Sequence, residues 1–361
     1  MPTRADILAR AARLRGFFEG QGAIPVETPI LQPADTLLDL YGEDIRGRAY
    51  VTSDALRGEQ VLRPDFTVPV VQMHMEQGAE PARYTYSGEV FRRQEHDPDR
   101  ANEYLQVGYE VFDRENPAAA DAEVYALIAE ILSGLHVRSS TGDIGILMAA
   151  VRGLKTTERR KAALMRHIWR PRRFRVLLDR FAGRTPVPAT RTALLASADP
   201  LATTATEIGV RSRAEIAARI EALRADAETP PISDHEMVGL DTLLAVRETL
   251  PFALEQLKDV AVDLPQIAPA VDRLNDRIDA LAARGVDVEN VEFETSYGRT
   301  SMEYYDGFVF GFYAASRADL PPVATGGRYD ALTRELGRGV EIPAVGGVLR
   351  PGLMLELEAA Q

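Results

Sequence analysis

Apolar residues recur at three- and four-residue spacing along the first part of the chain, between Arg4 and Gly20. This spacing is typical of an amphipathic helix that ends at a glycine, and its apolar residues are Ile7, Leu8, Ala11, Leu14, Phe17 and Phe18. Similar patterns, several of them opened by a proline, predict further helices. These run from Pro64 through Met75, from Ala118 to Leu135, from Ala331 to Leu336, and onward from Pro351.

Two long strands are predicted at Arg83 to Arg93 and at Glu103 to Arg114, where apolar and polar residues alternate. The polar segment between them, residues 94–100, contains a proline and predicts a hairpin loop. The second strand places Gln106 and Glu110 on one face, because alternate residues of a strand point to the same side. That polar face is either the solvent-facing side of an antiparallel sheet or the wall of a binding site.

Shorter apolar runs predict the remaining strands, and the glycine-rich segment 326–330 predicts a turn. Between residues 151 and 286 the composition changes to Ala, Leu, Arg and Glu, which favour helices. The fold class expected is therefore α+β, an antiparallel sheet flanked by helices. We expect residues 1–150 and 287–361 to form one domain, and residues 151–286 to form a helical insertion. The remaining strands are predicted at Val61–Arg63, Val291–Phe293, Phe308–Tyr313 and Ala344–Leu349.

Composition and charge narrow the possible functions. The chain has 361 residues, 45% of them hydrophobic and 27% charged, enough for a large core and two domains. Its formal net charge of −12 argues against nucleic-acid binding, because such a surface needs many cations. The absence of cysteine excludes disulfides and thiolate metal sites. The five histidines are scattered and form no HExxH pattern, so we expect no metal site and no cofactor.

Two local features bear on location and on partners. Residues 1–10 lack the apolar core of a signal peptide, and no apolar run is long enough to span a bilayer. We therefore expect a cytoplasmic protein without membrane contact. The other feature is an arginine-rich segment from Lys155 to Arg184, and the favoured interpretation is a solvated helical face with salt bridges. The alternative is a docking surface for an acidic partner protein.

Several segments resemble, in order along the chain, the motifs of class II aminoacyl-tRNA synthetases, and in particular those of the histidyl enzyme. No single segment is decisive, but the ordered set is specific and covers both flanks of the helical region. The resemblance implies a class II synthetase-like fold, usually assembled as a dimer. The matching segments are Gly22–Leu31 (motif 1), Leu62–Thr67 (LRPEGT), Phe91–Glu95 with Arg100 and Gln106–Phe112 (motif 2), Glu303–Tyr305 with Val309–Phe310 (LDYY), and Gly326–Asp330 (GGRYD).

The resemblance also implies that the polar face of the hairpin is the floor of a histidine pocket. A guanidinium fork suits a carboxylate, and an imidazole needs a polar partner at each nitrogen. Because Arg92 and Gln106 lie on opposite arms of one hairpin, we expect them side by side across the ladder. The positions implied are Arg92 for the ligand carboxylate, Asp65, Thr67 and Gln106 for its ammonium, Glu110 and Tyr305 for its imidazole, Tyr304 elsewhere in the histidine pocket, and Arg100 for a vestigial ATP site.

The sequence departs from the family at positions that serve catalysis. Thr300 stands where the RGLDYY segment of the family carries its arginine, although the neighbouring Arg299 could compensate if the strand shifts. Leu353 stands where motif 3 presents an arginine to ATP, and Arg350 is out of register with that position. Losing one such cation typically costs ~10²–10³ in rate, so we expect little adenylation activity.

Further departures point away from tRNA charging. In the segment that matches LRPEGT, Asp65 is shorter than glutamate and Phe66 replaces glycine. The sequence ends at Gln361, soon after motif 3, and we expect the anticodon-binding domain of the synthetase to be missing.

A histidine pocket without adenylation chemistry resembles the regulatory subunits of ATP phosphoribosyltransferase, a family of synthetase relatives that pair with a short catalytic subunit. The resemblance implies a non-catalytic chain that activates the short-form catalytic subunit and mediates feedback inhibition by histidine. One alternative is a stand-alone class II enzyme that activates an amino acid for an acceptor other than tRNA. Another is a structural dimer whose polar face is inert.

Overall fold

The structure is a computed structural model, and it describes residues 2–35, 40, 45–94, 100–202, 208–299 and 303–360. Thr300 and the middle of the predicted hairpin loop lie outside these residues. Within the described ranges the strands form a nine-stranded sheet in the order β1-β5-β6-β12-β11-β10-β7-β9-β8 and a three-stranded sheet in the order β2-β4-β3. The strands are β1 (Ile24–Pro25), β2 (Leu31–Pro33), β3 (Tyr50–Asp54), β4 (Gly58–Leu62), β5 (Ala82–Phe91), β6 (Glu103–Phe112), β7 (Val137–Asp143), β8 (Arg247–Thr249), β9 (Glu292–Glu294), β10 (Phe308–Ala314), β11 (Ala324–Arg328) and β12 (Ala344–Leu349).

Helices cover the large sheet and fill the region between β7 and β9. Among those described, none is both long and apolar enough to cross a membrane. The helices are α1 (Arg4–Gly20), α2 (Thr67–Gln77), α3 (Pro117–Leu132), α4 (Ile144–Gly153), α5 (Glu158–Arg166), α6 (Pro171–Phe181), α7 (Ala189–Ala196), α8 (Arg213–Glu228), α9 (Asp234–Ala245), α10 (Leu250–Asp263), α11 (Ala268–Ala283), α12 (Asp330–Leu336) and α13 (Pro351–Glu358).

The centre of the large sheet is antiparallel, and parallel pairs occur only toward its two edges, among the described strands. Strands β5 and β6 form the predicted hairpin, with a ladder that runs from Ala82 opposite Phe112 to Phe91 opposite Glu103. Strand β12 pairs with the other side of β6 and places Gly346 opposite Glu110. The predicted α+β class and the antiparallel hairpin are both confirmed.

Helix α1 covers one face of the hairpin. Its start is fixed by a capping box, in which the Thr3 side chain and Asp6 bond each other's backbone. Its inner stripe is buried, and the ring of Phe18 stacks on Tyr109 of β6 with the centroids 4.9 Å apart. Because Tyr109 points to the opposite side from Glu110, this packing leaves the polar face of β6 turned toward the rest of the molecule.

The sequence predicts that helix α2 begins at Pro64, but the helix begins at Thr67. The preceding turn is held by Arg63, whose guanidinium donates to the carbonyls of Thr28 at 2.5 Å and Glu89 at 2.8 Å. The same guanidinium lies 4.0 Å from the centroid of the Phe66 ring. These contacts keep residues 63–66 out of the helix and hold Asp65 beside the sheet.

The first three residues of the segment predicted as a turn, 326–328, belong instead to strand β11, so that prediction is wrong. A Cβ atom on Gly326 would overlap the ring of Phe310 and the backbone of Gly346. Glycine is therefore required by close packing between neighbouring strands and not by a reversal of the chain.

Helices α5 to α11 occupy most of residues 151–286, as the composition predicts. This region is also tied to the sheet. Strand β8 pairs with β9 at the sheet edge. Arg277 of α11 forms buried ion pairs at 2.8 Å with Asp121 and at 2.9 Å with Asp143. The boundaries proposed for a helical insertion stay a prediction.

The arginine-rich segment is anchored by ion pairs within the chain. Arg160 is 6% exposed, and its Nε donates to Asp226 at 2.7 Å. This pairing supports the favoured interpretation of a helical face with salt bridges for part of the segment. The pairs are Arg160 with Asp226, Arg170 with Glu303, Arg175 with Asp241, and Arg184 with Asp234.

Candidate functional site

A cleft of about 1700 Å³ opens against strands β6, β12, β11 and β10. It exceeds the ~300–1,000 Å³ typical of small-ligand sites, so it has room for more than one amino acid. Arg100 lies in it and donates to the carbonyl of Asp319 at 3.1 Å. Six of the seven residues predicted to hold histidine line this cleft: Asp65, Thr67, Arg92, Gln106, Tyr304 and Tyr305.

Glu110, the seventh, lies behind the lining and is 1% exposed. One of its carboxylate oxygens accepts hydroxyl hydrogens from Tyr86 at 2.8 Å and Thr67 at 3.2 Å. The other oxygen accepts from Tyr329 at 2.5 Å. Burial raises the pKa of Glu110 to about 7, against the lowering effect of these three bonds. Glu110 is therefore linked to the cleft through the side chain of Thr67.

Glycines on neighbouring positions make room for this network. A Cβ on Gly346 would overlap the Glu110 carboxylate, and a Cβ on Gly108 would overlap the ring of Tyr86. Sequence analysis did not identify Tyr86 and Tyr329 as partners of Glu110. Their contacts depend on the register of strands distant in sequence, and glycines in β6 and β12 were the available signal.

Asp65 is the centre of a polar cluster at one end of the cleft. It is 3% exposed, and it accepts the backbone N–H of Thr67 at 3.1 Å and the hydroxyl of Tyr304 at 3.3 Å. The guanidinium of Arg92 lies 3.6 Å from the Asp65 carboxylate and also donates to the carbonyl of Pro64 at 2.6 Å. Carboxylate and guanidinium side by side suit a zwitterionic ligand.

Gln106 lies on the cleft floor and is 0% exposed. Within the described residues, neither its amide oxygen nor its amide nitrogen has a hydrogen-bond partner. A buried polar group left unpaired costs roughly 1–3 kcal/mol, so a ligand or water partner is expected here. The burial of Gln106 and Glu110 excludes the solvent-facing interpretation of the polar face.

The prediction that Arg92 and Gln106 lie side by side across the ladder is wrong. The residue opposite Gln106 is Gly88, and the backbone N–H of Arg92 bonds the carbonyl of Asn102 instead. The two side chains reach the same cleft but are four ladder positions apart, roughly 13 Å along the strand.

Arg299 and Arg350, the arginines nearest to the two departures from the synthetase motifs, lie in different surroundings. Arg299 packs into the helical region, where its Nε donates to the carbonyl of Ile168 at 2.8 Å and burial lowers its pKa to about 10. It therefore does not compensate for Thr300. Leu353 lines the cleft, and so does Arg350, which the motif comparison had set aside as out of register.

The acidic groups of the cleft pair with arginines. Glu89 lies 2.8 Å from Arg4, and Asp319 lies 2.7 Å from Arg317. No cluster of three or more His, Cys, Asp or Glu suited to a metal ion occurs in the described part of the chain. The arrangement presents paired charges and amide groups, which recognise a small polar molecule by hydrogen bonds.

Known proteins match this chain over nearly its whole length. The sequence profile of the histidyl-tRNA synthetase family matches residues 2–229 and 213–351. Over 361 aligned residues the chain is 33% identical to the ATP phosphoribosyltransferase regulatory subunit of Agrobacterium fabrum, and the alignment covers 94% of each protein. It is 30% identical to the regulatory subunit of Mesorhizobium japonicum, again over 94% of each.

Solved structures show the same fold. A Bacillus halodurans protein described as an ATP phosphoribosyltransferase regulatory subunit/histidyl-tRNA synthetase superposes with a TM-score of 0.68 at 22% identity, over 98% of this chain and 79% of its own. The histidyl-tRNA synthetase of Nostoc gives a TM-score of 0.63 at 19% identity, over 98% of this chain and 72% of its own. At such identities these two matches establish the fold alone. From the profile and the curated relatives, the chain belongs to the histidyl-tRNA synthetase-like family of ATP phosphoribosyltransferase regulatory subunits.

Proposed function

We propose that this chain binds histidine in the cleft and regulates a short-form ATP phosphoribosyltransferase catalytic subunit. In this proposal the chain activates the catalytic subunit when histidine is scarce, and bound histidine reverses the activation. The names of the curated relatives support the choice of partner. The cleft supports the choice of a small zwitterionic ligand.

The observation that carries the ligand proposal is the unpaired amide of Gln106. An amide needs both a donor and an acceptor, and an amino acid supplies an ammonium and a carboxylate on one carbon. Asp65 and Thr67 then complete the ammonium site, and Arg92 contributes positive charge for the carboxylate. In this proposal Tyr305 contacts the imidazole, Tyr304 supports Asp65 through its hydroxyl, and Glu110 fixes the hydroxyl of Thr67 from behind.

Calorimetric titration tests this step directly. The purified chain is expected to bind L-histidine at one site per chain, in preference to other amino acids. Equal heats for histidine, alanine and leucine would contradict an imidazole-specific pocket.

The chain is expected to catalyse no histidine-dependent ATP–pyrophosphate exchange. Leu353 lies in the cleft where motif 3 supplies a cation, and Arg299 is directed elsewhere, so charge developing on ATP would lack the two arginines that the family places there. The assay compares the purified chain with a histidyl-tRNA synthetase under the same conditions. A rate near that of the synthetase would support the stand-alone enzyme instead.

We further propose that the chain self-associates as a dimer through the segment that matches motif 1. Ile24, Ile30 and Leu31 are 58%, 43% and 49% exposed, an unusual concentration of apolar surface in one short segment. Leu31→Arg is expected to shift the dimer toward the monomer in light scattering, because a charge would be buried in the interface. Val262→Arg, on the exposed side of α10, is the matched control. A dimer that is indifferent to both changes would place the interface elsewhere.

A further inference from the structure

Arg350 directly follows β12, at the position where the strand would next come opposite Gln106. The ladder between β12 and β6 ends with Leu349 opposite Val107, and Arg350 continues that register toward Gln106. Directly opposite residues of an antiparallel pair project from the same face, with Cβ atoms roughly 4.5–5.5 Å apart. Both side chains line the cleft. Continuing the register thus places the two residues at adjacent positions on its floor, within reach of one small ligand.

The charge of Arg350 has no carboxylate partner within the described residues. Its guanidinium donates to the carbonyl of Pro322 at 2.6 Å and to the hydroxyl of Thr325 at 3.5 Å, and it also hydrogen-bonds the phenol of Tyr104; none of the three is a carboxylate. Arg92, by contrast, faces the carboxylate of Asp65. A partly buried cation that is balanced only by neutral groups is a ready site for an anion.

Tyr104 shows where positive potential collects in the cleft. Burial raises the pKa of this phenol, but the charges of Arg92, Arg350 and Arg48 outweigh burial, and the pKa is lowered overall. Tyr104 stands two residues before Gln106 on the same face of β6. Three guanidinium groups thus act on one small part of the floor, next to the unpaired amide.

We propose that Arg350 and Gln106 together hold the α-carboxylate and α-ammonium of the bound amino acid, an inference that rests on the proposed histidine site. The amide oxygen accepts from the ammonium, while the amide nitrogen and the guanidinium donate to the carboxylate. An ionised phosphate offers acceptors only, so it would leave the oxygen of Gln106 unpaired. The carboxylate role given to Arg92 by the synthetase motifs passes in large part to Arg350.

The test is calorimetry of the full chain with L-histidine and with histamine, which lacks the carboxylate. Arg350→Gln is expected to weaken histidine binding ~10–100-fold and histamine binding by less than ~3-fold. Arg350→Lys keeps the charge but loses the planar fork, so its loss should be intermediate and again confined to histidine. Arg114→Gln removes an arginine outside the cleft, where it pairs with Glu80 at 2.8 Å, and serves as the matched control.

Several results would overturn the assignment. Unchanged histidine binding in Arg350→Gln, or equal losses for histidine and histamine, would show that Arg350 does not contact the carboxylate. If inorganic phosphate binds more tightly than histidine, and does so only when Arg350 is present, then Arg350 belongs to a phosphate site and not to a carboxylate site. If circular dichroism shows that Arg350→Gln does not fold, the same calorimetric comparison of histidine with histamine is made with Arg350→Lys. A parent chain that binds no histidine would overturn the proposed function and this inference together, whereas the other outcomes affect Arg350 alone.

Discussion

Phosphoribosyl-ATP formation by a short-form ATP phosphoribosyltransferase catalytic subunit is expected to rise when this chain is added, and to fall back when histidine is also added. The expected change is between ~5-fold and ~150-fold, the range of typical allosteric coupling. The measurement compares initial rates of the catalytic subunit alone, with this chain, and with this chain plus histidine. Activity that is indifferent to the chain would contradict the proposed function.

The physical reason is linkage between two sites. A ligand bound to a chain without its own chemistry alters activity only if it binds two states of the assembly unequally. Reciprocity then requires that the catalytic subunit or its substrates change the affinity of this chain for histidine. Titrating histidine into the chain alone and into the assembled complex should therefore give different values of Kd. Identical values, with inhibition still present, would place the sensor on the other subunit.

Sequence analysis predicted the elements whose signal is local. Helix α1 and strand β12 have the predicted bounds, because a capping residue, glycine or proline marks their ends. Strand β7 was missed, since Val137–Asp143 is rich in serine and threonine and shows little apolar alternation. Its place in the sheet comes from its neighbours, β10 and β9, which pair with it on both sides.

The residues of the candidate site also fall into those that a local sequence signal predicts and those that it does not. The ordered motifs led to six residues that line one cleft, since each lies in or beside an element with its own sequence signal. Arg350 was set aside, because its place next to Gln106 depends on the register between β12 and β6. The hydroxyl groups around Glu110 likewise come from three separate segments. Contacts of this kind follow from strand pairing, which a single sequence does not specify.

At pH 8, where Glu110 is ionised, Glu110→Gln is expected to weaken histidine binding ~10–100-fold, because it removes the charge that orders three hydroxyl groups behind the cleft. The amide is nearly isosteric, so the change leaves no cavity. Glu110→Ala would leave the hydroxyls of Tyr86, Tyr329 and Thr67 unpaired, at roughly 1–3 kcal/mol each, and would destabilise the fold as well. Calorimetry of the glutamine variant therefore separates ligand binding from stability.

The combination of Glu110→Gln with Thr67→Val shows how Glu110 acts. If it acts by positioning the Thr67 hydroxyl, the double variant should lose no more affinity for histidine than Thr67→Val alone. Additive losses would indicate that Glu110 contacts the ligand directly after a rearrangement of its tyrosine partners.

Glu110→Gln should also change how the free energy of unfolding depends on pH, which a purely steric role of Glu110 would not do. Burial raises the folded-state pKa of Glu110 from its ordinary 4.5 to about 7, so the protonated group contributes stability that is full below pH 4.5 and lost as pH rises through 7. The shift corresponds to roughly 3 kcal/mol.

Glutamine does not titrate, so the free energy of unfolding of the variant relative to the parent should rise by about that amount between pH 4.5 and pH 8. The buried Asp306, whose pKa burial also raises to about 7, titrates in both proteins and cancels in the comparison. Urea denaturation at several pH values measures the difference, and parallel curves for variant and parent would show that Glu110 is ionised in the folded protein throughout this range.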